Sequence, residues 1–164
     1  MSLPSGVVVG QGVGVPTEFS VKSGLLQRSY SSMKSAAVRG TCVKHTAVTG
    51  EVDTAGAGIT VVAGILGQDV YDPTGLPAQI AQNIFADGIL TYSQTGQPVS
   101  VWKLGEFYLT NVSGSVAYGD FLAPAAGGAW ASSGATNNLK NGSVVCVVPN
   151  SAADGPIQVV ANLA

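Results

Sequence analysis

Charged side chains are scarce in this chain. Lys, Arg, Asp and Glu make up 10% of its 164 residues, against about 25% in an ordinary soluble domain. Hydrophobic residues reach 46%, and the mean hydropathy is +0.34. Large uncharged surfaces drive association, so we expect partner subunits to cover part of this protein.

Basic residues are too few and too thinly spread for nucleic-acid binding. Seven Lys and Arg stand against nine Asp and Glu, which gives a net charge of −2. Binding to phosphates needs a clustered positive surface that releases counterions. Five of the seven basic residues lie between Lys22 and Lys44, as expected for a polar arm. We therefore expect no nucleic-acid partner.

Long hydrophobic runs are also absent, and a membrane-spanning helix needs about 18 or more consecutive apolar residues. The longest candidate, Ile59 to Leu66, is interrupted by Thr60 and Gly64 and is typical of a buried strand. Residues 1–6 lack the basic start and continuous apolar stretch of a secretory signal. We expect a protein made in a cytoplasm, with no membrane partner.

Histidine and cysteine are too rare for an ordinary catalytic or metal site. His45 is the sole histidine, so a hydrolytic triad would need it together with a serine and Asp53 or Asp69. Cys42 and His45 resemble half of a zinc site, but only Cys146 could add a soft ligand, and structural zinc takes four ligands. We expect two buried thiols, no catalytic residue, no cofactor and no metal. A hydrolase that uses His45 is the weakest alternative.

Glycine, in contrast, is abundant. The chain has 22 glycines, and those after residue 35 separate short apolar or alternating runs of strand length. A helix-rich fold would not tolerate this pattern, so we predict an all-β fold, either a β-sandwich or a jelly-roll-like small barrel. Gly105 separates two alternating runs and is predicted to be a turn or bulge residue. The predicted strands are residues 36–44, 48–53, 59–66, 89–93, 99–104, 106–110, 143–148 and 157–163. Residues 76–86 fit a helix or a strand equally well.

The first 34 residues keep neither a period of 2 nor one of 3.6. An apolar run at 7–9 is followed by glycines and then by Ser-rich sequence with scattered apolar residues. A freely solvated tail would hold fewer apolar residues, so we predict an extended arm over 1–34 that orders against a neighbour, followed by one domain over 35–164.

Trp130 stands beside Gly127 and Gly128, at a predicted hairpin turn. A tryptophan on a turn can anchor a protein interface, or it can stack on a sugar ring. We favour the interface anchor. The predicted partner-binding residues are Val7, Val8, Val9, Phe19, Leu25, Leu26, Tyr30 and Trp130.

The order of elements from about Val48 to the C-terminus resembles that of the structural cement, or decoration, proteins of tailed bacteriophage capsids. The stretch 50–53 leads to an apolar strand at 61–66 and a strand pair around 97–102. A segment with a Gly119-Asp120 turn follows, then the Gly-Gly hairpin with Trp130 and two closing strands at 144–148 and 157–160.

This resemblance implies a small β-sandwich or jelly-roll-like unit on the capsid surface of the virion. It also implies dimers or trimers that bridge subunits of the major capsid protein, and it brings no catalytic residues. Two alternatives stay open: a phage tail or fibre protein, and a carbohydrate-binding β-module that uses Trp130 and Tyr118.

Overall fold

A computed structural model describes residues 15–16, 27–72 and 92–164, with the side chains of 31–72 and 95–164. These ranges contain strands and one 3-10 turn at Ala126–Gly128, and no helix in them is long and apolar enough to cross a membrane. The all-β prediction is confirmed. The strands are β1 Val15–Pro16, β2 Gln27–Met33, β3 Cys42–His45, β4 Glu51–Thr54, β5 Gly64–Leu66, β6 Asp69–Tyr71, β7 Tyr92–Gln94, β8 Pro98–Leu109, β9 Val112–Ser113, β10 Leu122–Pro124, β11 Trp130–Ser132, β12 Gly142–Val148 and β13 Ile157–Leu163.

Five strands close a small barrel. The ring runs from β8 through β2, β4, β3 and β5 and back to β8. It closes because Ile65 and Leu66 of β5 pair with Trp102 and Val101 of β8. Each of these strands pairs with a neighbour on both sides, which leaves less strand edge open to pairing with another chain. The smaller apolar core of the protein consists of Met33, Val43, Val52, Ala63, Leu66, Val70, Val99 and Val101.

The second half of β8 extends beyond the barrel into another part of the sheet. Its residues 104–109 pair with β13, which pairs in turn with β12, and β1 pairs with β8 at Phe107 and Tyr108. Gly105 lies inside the strand with a φ of +147° and pairs with Ala161. The prediction of two strands separated at Gly105 is therefore wrong. Cross-strand hydrogen bonding on both sides of Gly105 keeps the chain extended through it.

A second layer covers one face of this extension. β10 pairs antiparallel with β11, and β11 pairs parallel with β9. The predicted Gly-Gly hairpin is present, because the 3-10 turn at Ala126–Gly128 joins β10 to β11. The larger apolar core lies between the two layers. Its fully buried members include Cys42, Phe107, Leu109, Leu122, Trp130, Val144, Cys146, Val159 and Ala161.

β3 and β5 form a wall shared by the two cores. Cys42 belongs to the larger core and Val43 to the smaller one, and Ile65 and Leu66 are divided in the same way. Successive side chains of a strand point to opposite faces. A wall that is buried on both sides is therefore apolar at successive positions, which explains the runs that lack alternation.

β2 lies within the segment assigned to the arm. It pairs antiparallel with β8 and parallel with β4, so the barrel wall begins at Gln27. β3 and β5 are shorter than predicted: β3 begins at Cys42, and only Gly64–Leu66 of the stretch 59–66 is a strand. The ambiguous segment 76–86 lies outside the described residues. The arm before β2 stays a prediction.

Candidate interaction surface

Most of the predicted partner-binding residues precede β2. Tyr30 lies in β2, where its backbone pairs with Ser100 of β8. The structure describes the backbone of Tyr30 and not its side chain, so its role in partner binding stays a prediction. The same holds for the residues that lie wholly outside the described ranges, namely Val7, Val8, Val9, Phe19, Leu25 and Leu26.

Trp130 is a core residue. Its side chain is completely buried, and the indole Nε1–H donates a hydrogen bond of 3.0 Å to the backbone carbonyl of Gly40. The hairpin that carries it folds over the barrel wall, where Gly128 lies directly against Thr41 and Thr54. Neither a partner protein nor a sugar ring can reach the indole. The prediction of an anchor or a sugar-stacking platform at Trp130 is therefore wrong.

The two thiols are free and buried, as predicted. Burial raises the pKa of the Cys42 thiol far above its ordinary value. Burial also raises the pKa of Cys146, and the negative charge of Asp120 adds to this effect. Within 27–72 and 92–164, no group of three or more His, Cys, Asp or Glu side chains is placed to hold a metal ion.

The carboxylates considered as partners for His45 make other hydrogen bonds. His45 itself lies at the exposed end of β3. Asp53 accepts hydrogen bonds from the Ser35 hydroxyl and from the backbone N–H of Thr54. Asp69 accepts a hydrogen bond of 2.8 Å from the backbone N–H of Arg39. These bonds hold the loops that surround β3 and β4.

The Gly119-Asp120 turn depends on a carboxylate that is fixed in place. Oδ2 of Asp120 accepts hydrogen bonds from the Ser132 hydroxyl at 2.6 Å and from the backbone N–H of Ala117 at 2.9 Å. Both bonds favour the ionised form, and so they lower the pKa of the Asp120 carboxyl. The turn is thereby attached to β11.

This turn also lies along the outer edge of β12. Gly119 N–H donates to the carbonyl of Cys146 at 2.8 Å, and Cys146 N–H donates to the carbonyl of Asp120 at 2.9 Å. These bonds cover backbone groups of β12 that would otherwise be open to another chain. Tyr118 stays 76% exposed beside them.

The sheet of β12, β13 and β8 has a second face that points away from the larger core. It carries two rows of cross-strand neighbours, and we call these six residues the outer face. One row is Tyr108, Gln158 and Val148, and the other is Glu106, Val160 and Val145. Val148 and Val160 are 46% and 42% exposed, although the alternate residues of their strands are buried.

The outer face is unusually apolar for an exposed surface. Antiparallel sheets with one solvated face normally alternate apolar residues inside with polar residues outside. Val145, Val148 and Val160 depart from this rule, and Glu106 is the one carboxylate of the face. Contiguous exposed apolar residues mark interaction sites. The sequence could have indicated this apolar face, because valines stand at both even and odd positions of the run 144–148 and so occupy both faces of the strand.

Comparisons with known proteins identify the fold. No family model matches the chain, and no curated protein matches it. A chain of the capsid of Myoviridae phage XM1 has a similar structure, with a TM-score of 0.55 and 19% sequence identity. The similarity covers 99% of this chain and 98% of that one. The two chains therefore share one fold over nearly their whole length.

Proposed function

We propose that this protein is a structural component of a bacteriophage virion, which decorates the outside of the capsid and cements neighbouring subunits of the major capsid protein. The observation that carries the proposal is the fold shared with a chain of the phage XM1 capsid over nearly the whole length of both chains. The resemblance of residues 48–164 to capsid cement proteins supports the same role.

The surface chemistry supports a role in assembly. Charged residues make up 10% of the chain, and the outer face exposes valines that a free monomer would be expected to cover. A standard protein interface removes about 800 Å² of each partner from water. Repetition of such contacts over a shell adds avidity, so individually modest contacts resist the internal pressure of packaged DNA.

The closed barrel supports the same role in a different way. A cementing protein has to transmit force between subunits without pairing at random with other chains. In the barrel, β5 and β8 complete the ring, and along β12 the Gly119-Asp120 turn covers part of the edge. Contacts with neighbours are then made by the arm, by exposed side chains or by both.

The proposed contacts of the arm with partner subunits are based on the apolar residues of the sequence. Residues Val7 to Val9, Phe19, Leu25, Leu26 and Tyr30 would bury apolar surface against neighbouring subunits, in a dimer or trimer seated on the capsid. The role is structural, and it needs no catalytic residue, cofactor or metal.

The test uses purified capsids that lack this protein. The full chain, a deletion of residues 1–26 and the variant Val61→Ser are added, and occupancy is measured by co-sedimentation and cryo-electron microscopy. The deletion ends before Gln27 because β2 belongs to the barrel wall. Val61 is 52% exposed and lies just before β5, so it serves as the control.

We expect saturable binding of the full chain and of Val61→Ser outside the shell, and raised resistance of filled capsids to heat. Deletion of residues 1–26 should weaken binding. A chain that does not bind capsids contradicts the proposal, and binding without added heat resistance contradicts the cementing part. Location of the chain on tails or fibres in the same images would support the tail alternative instead.

A further inference from the structure

We infer that the outer face binds the N-terminal segment, residues 1–14, of a second copy of this chain. This contact would link copies by exchange of their N-terminal segments. The inference rests on the proposed role in assembly and adds the identity of one contact within it.

The outer face has the properties of a covered surface. Its valines lie side by side, since Val145 pairs with Val160 across β12 and β13. Val148 lies in the adjoining row, opposite Gln158. Burying such a surface is favourable by about 25 cal/mol for each Å² of apolar area removed from water. A partner for it should be apolar, extended and without charged side chains.

The N-terminal segment has this composition. Residues 1–14 contain four valines, at 7, 8, 9 and 13, and no charged side chain. The strand that follows this segment, β1, joins the sheet beside the outer face. Val15 of β1 pairs with Tyr108, which begins the row that continues through Gln158 to Val148.

The direction of β1 favours a second copy as the recipient. β1 runs antiparallel to β8, so toward its N-terminal end it points beyond Leu109, where β8 ends. A segment that bound the outer face of its own chain would have to turn back from this direction. A fully extended segment of 14 residues reaches about 46 Å, which is enough to contact an adjacent copy.

The other stretch outside the described ranges, 73–91, is attached at a different place. It follows β6 and precedes β7, two strands that pair with each other. Val70 of β6 exchanges backbone hydrogen bonds with Ala37, and Gly96 after β7 donates to the carbonyl of Met33. The bond of Gly96 lies next to the Ser32–Pro98 pair, at the start of β8, whereas the outer face includes Glu106 and Tyr108 near its other end. The stretch 17–26 is the competing occupant, because the residues on either side of it, Pro16 and Gln27, pair with Phe107 and Leu104 of β8.

The test is disulfide cross-linking between two copies. Single variants Val7→Cys and Val8→Cys are each co-expressed with Val160→Cys and oxidised in the absence of capsids. Two neighbouring positions are used because their side chains point to opposite sides of an extended chain. The native thiols, Cys42 and Cys146, are buried with raised pKa values, so they react slowly.

Three control measurements accompany the cross-linking. Val61→Cys replaces Val160→Cys as a control site outside β8, β12 and β13, with an exposure of 52% against 42%. Ser20→Cys probes the competing stretch 17–26. Light scattering after gel filtration compares the mass of the full chain with that of a deletion of residues 1–14, and circular dichroism checks that each variant is folded.

We expect a disulfide-linked heterodimer with Val160→Cys from at least one of the two valine positions and none with Val61→Cys. The deletion should reduce the oligomer to monomers. Equal cross-linking to Val61→Cys overturns the inference, as does cross-linking of Ser20→Cys alone or an unchanged mass after deletion. A double variant, Val8→Cys with Val160→Cys, that forms only a disulfide within one chain also overturns it.

These results are independent of capsid binding. A chain that forms the heterodimer but never binds capsids would contradict the proposed function and leave the inference intact. A chain that binds capsids and forms no heterodimer, free or bound, would overturn the inference alone.

Discussion

The indole N–H of Trp130 donates a hydrogen bond of 3.0 Å to the backbone carbonyl of Gly40, ninety positions away in sequence. Gly40 in turn donates its own N–H to the carbonyl of Leu66 in β5. These two consecutive hydrogen bonds connect Trp130 in the second layer to Leu66 in the barrel wall. They are one reason why the hairpin of β10 and β11 lies against the barrel.

Replacing the indole tests this connection. Trp130→Phe should lower the free energy of unfolding by about 1–3 kcal/mol, because the buried carbonyl of Gly40 loses its partner, and the smaller ring adds a cavity. Urea unfolding followed by circular dichroism measures the change. Tyr118→Phe, at a site that is 76% exposed, is the control and should unfold like the wild type. An unchanged midpoint for Trp130→Phe would show that the bond contributes nothing.

Two glycines with positive φ should respond very differently to alanine. At Gly58 (φ +82°) an added Cβ meets nothing within 4 Å, so Gly58→Ala costs only the backbone strain, about 1–2 kcal/mol. At Gly142 (φ +140°) the Cβ would lie 2.1 Å from the carbonyl oxygen of Asn162. Overpacking there should add about 1–3 kcal/mol, and β12 must shift from β13. Thermal unfolding of the two variants gives the comparison, and equal losses would contradict it.

The side-chain amide of Asn141 links Ala164, after β13, to Val62, before β5. Its Nδ2 donates to the carbonyls of Val62 at 2.8 Å and Ala164 at 3.2 Å, and its Oδ1 accepts from Val62 N–H at 3.1 Å. Asn141→Asp would place carboxylate oxygen against two carbonyl oxygens. We expect a loss of about 1–3 kcal/mol at neutral pH, measured by urea unfolding. Asn138→Asp, an exposed neighbour, serves as the control. Comparable losses at both sites would contradict a stabilising role for the hydrogen bonds of Asn141.

The Asp120 carboxylate should make the free energy of unfolding decrease as the pH falls into the acid range. Its folded pKa lies below the ordinary value of 3.8 because Ser132 and Ala117 donate hydrogen bonds to the ionised carboxylate. A depressed folded pKa contributes stability at pH values above the unfolded pKa, and this contribution is lost as pH falls through the folded pKa.

Asp120→Asn should therefore be less stable than the wild type at neutral pH, and the difference should shrink below about pH 4. Unfolding midpoints measured from pH 7 to pH 2 test this, with Ser132→Ala as a second variant that removes the largest cause of the shift. A difference that stays constant over the whole range would exclude the carboxylate as its origin.

The buried thiols predict slow modification of the native protein. Cys42 is completely buried and its pKa is raised. At pH 8 the thiol therefore stays protonated, and a reagent cannot reach it. Mass spectrometry after iodoacetamide treatment should find both cysteines unmodified in the folded protein and both modified in urea. Rapid labelling of Cys42 in native conditions would contradict the packing of the wall between the two cores.

Local sequence patterns were sufficient where neighbours along the chain decide the structure. Alternation over Ile157–Leu163 predicted β13 with its observed bounds, and the glycine pair at 127–128 predicted a hairpin turn. The abundance of glycine and the short runs gave the all-β class. Burial of Cys42 and Cys146 followed from composition and was confirmed.

Other features depend on contacts between distant residues, and local patterns could not give them. Gly105 resembled a turn because a glycine between two alternating runs often is one, yet pairing with β13 keeps β8 continuous. Trp130 resembled a surface residue on a turn, until the second layer folded over the wall and buried it. The outer face is likewise defined only when β8, β12 and β13 come into register.

The sequence by itself determined the fold class, the positions of β12 and β13 and the scarcity of charge, because these depend on side-chain chemistry and local alternation. Only the tertiary structure decided which strands pair, which core each apolar residue enters and which valines stay exposed. The physical reason is that pairing and burial are set by long-range hydrogen bonds and packing. The bond between Trp130 and Gly40 is one example, and closure of the barrel by β5 and β8 is another.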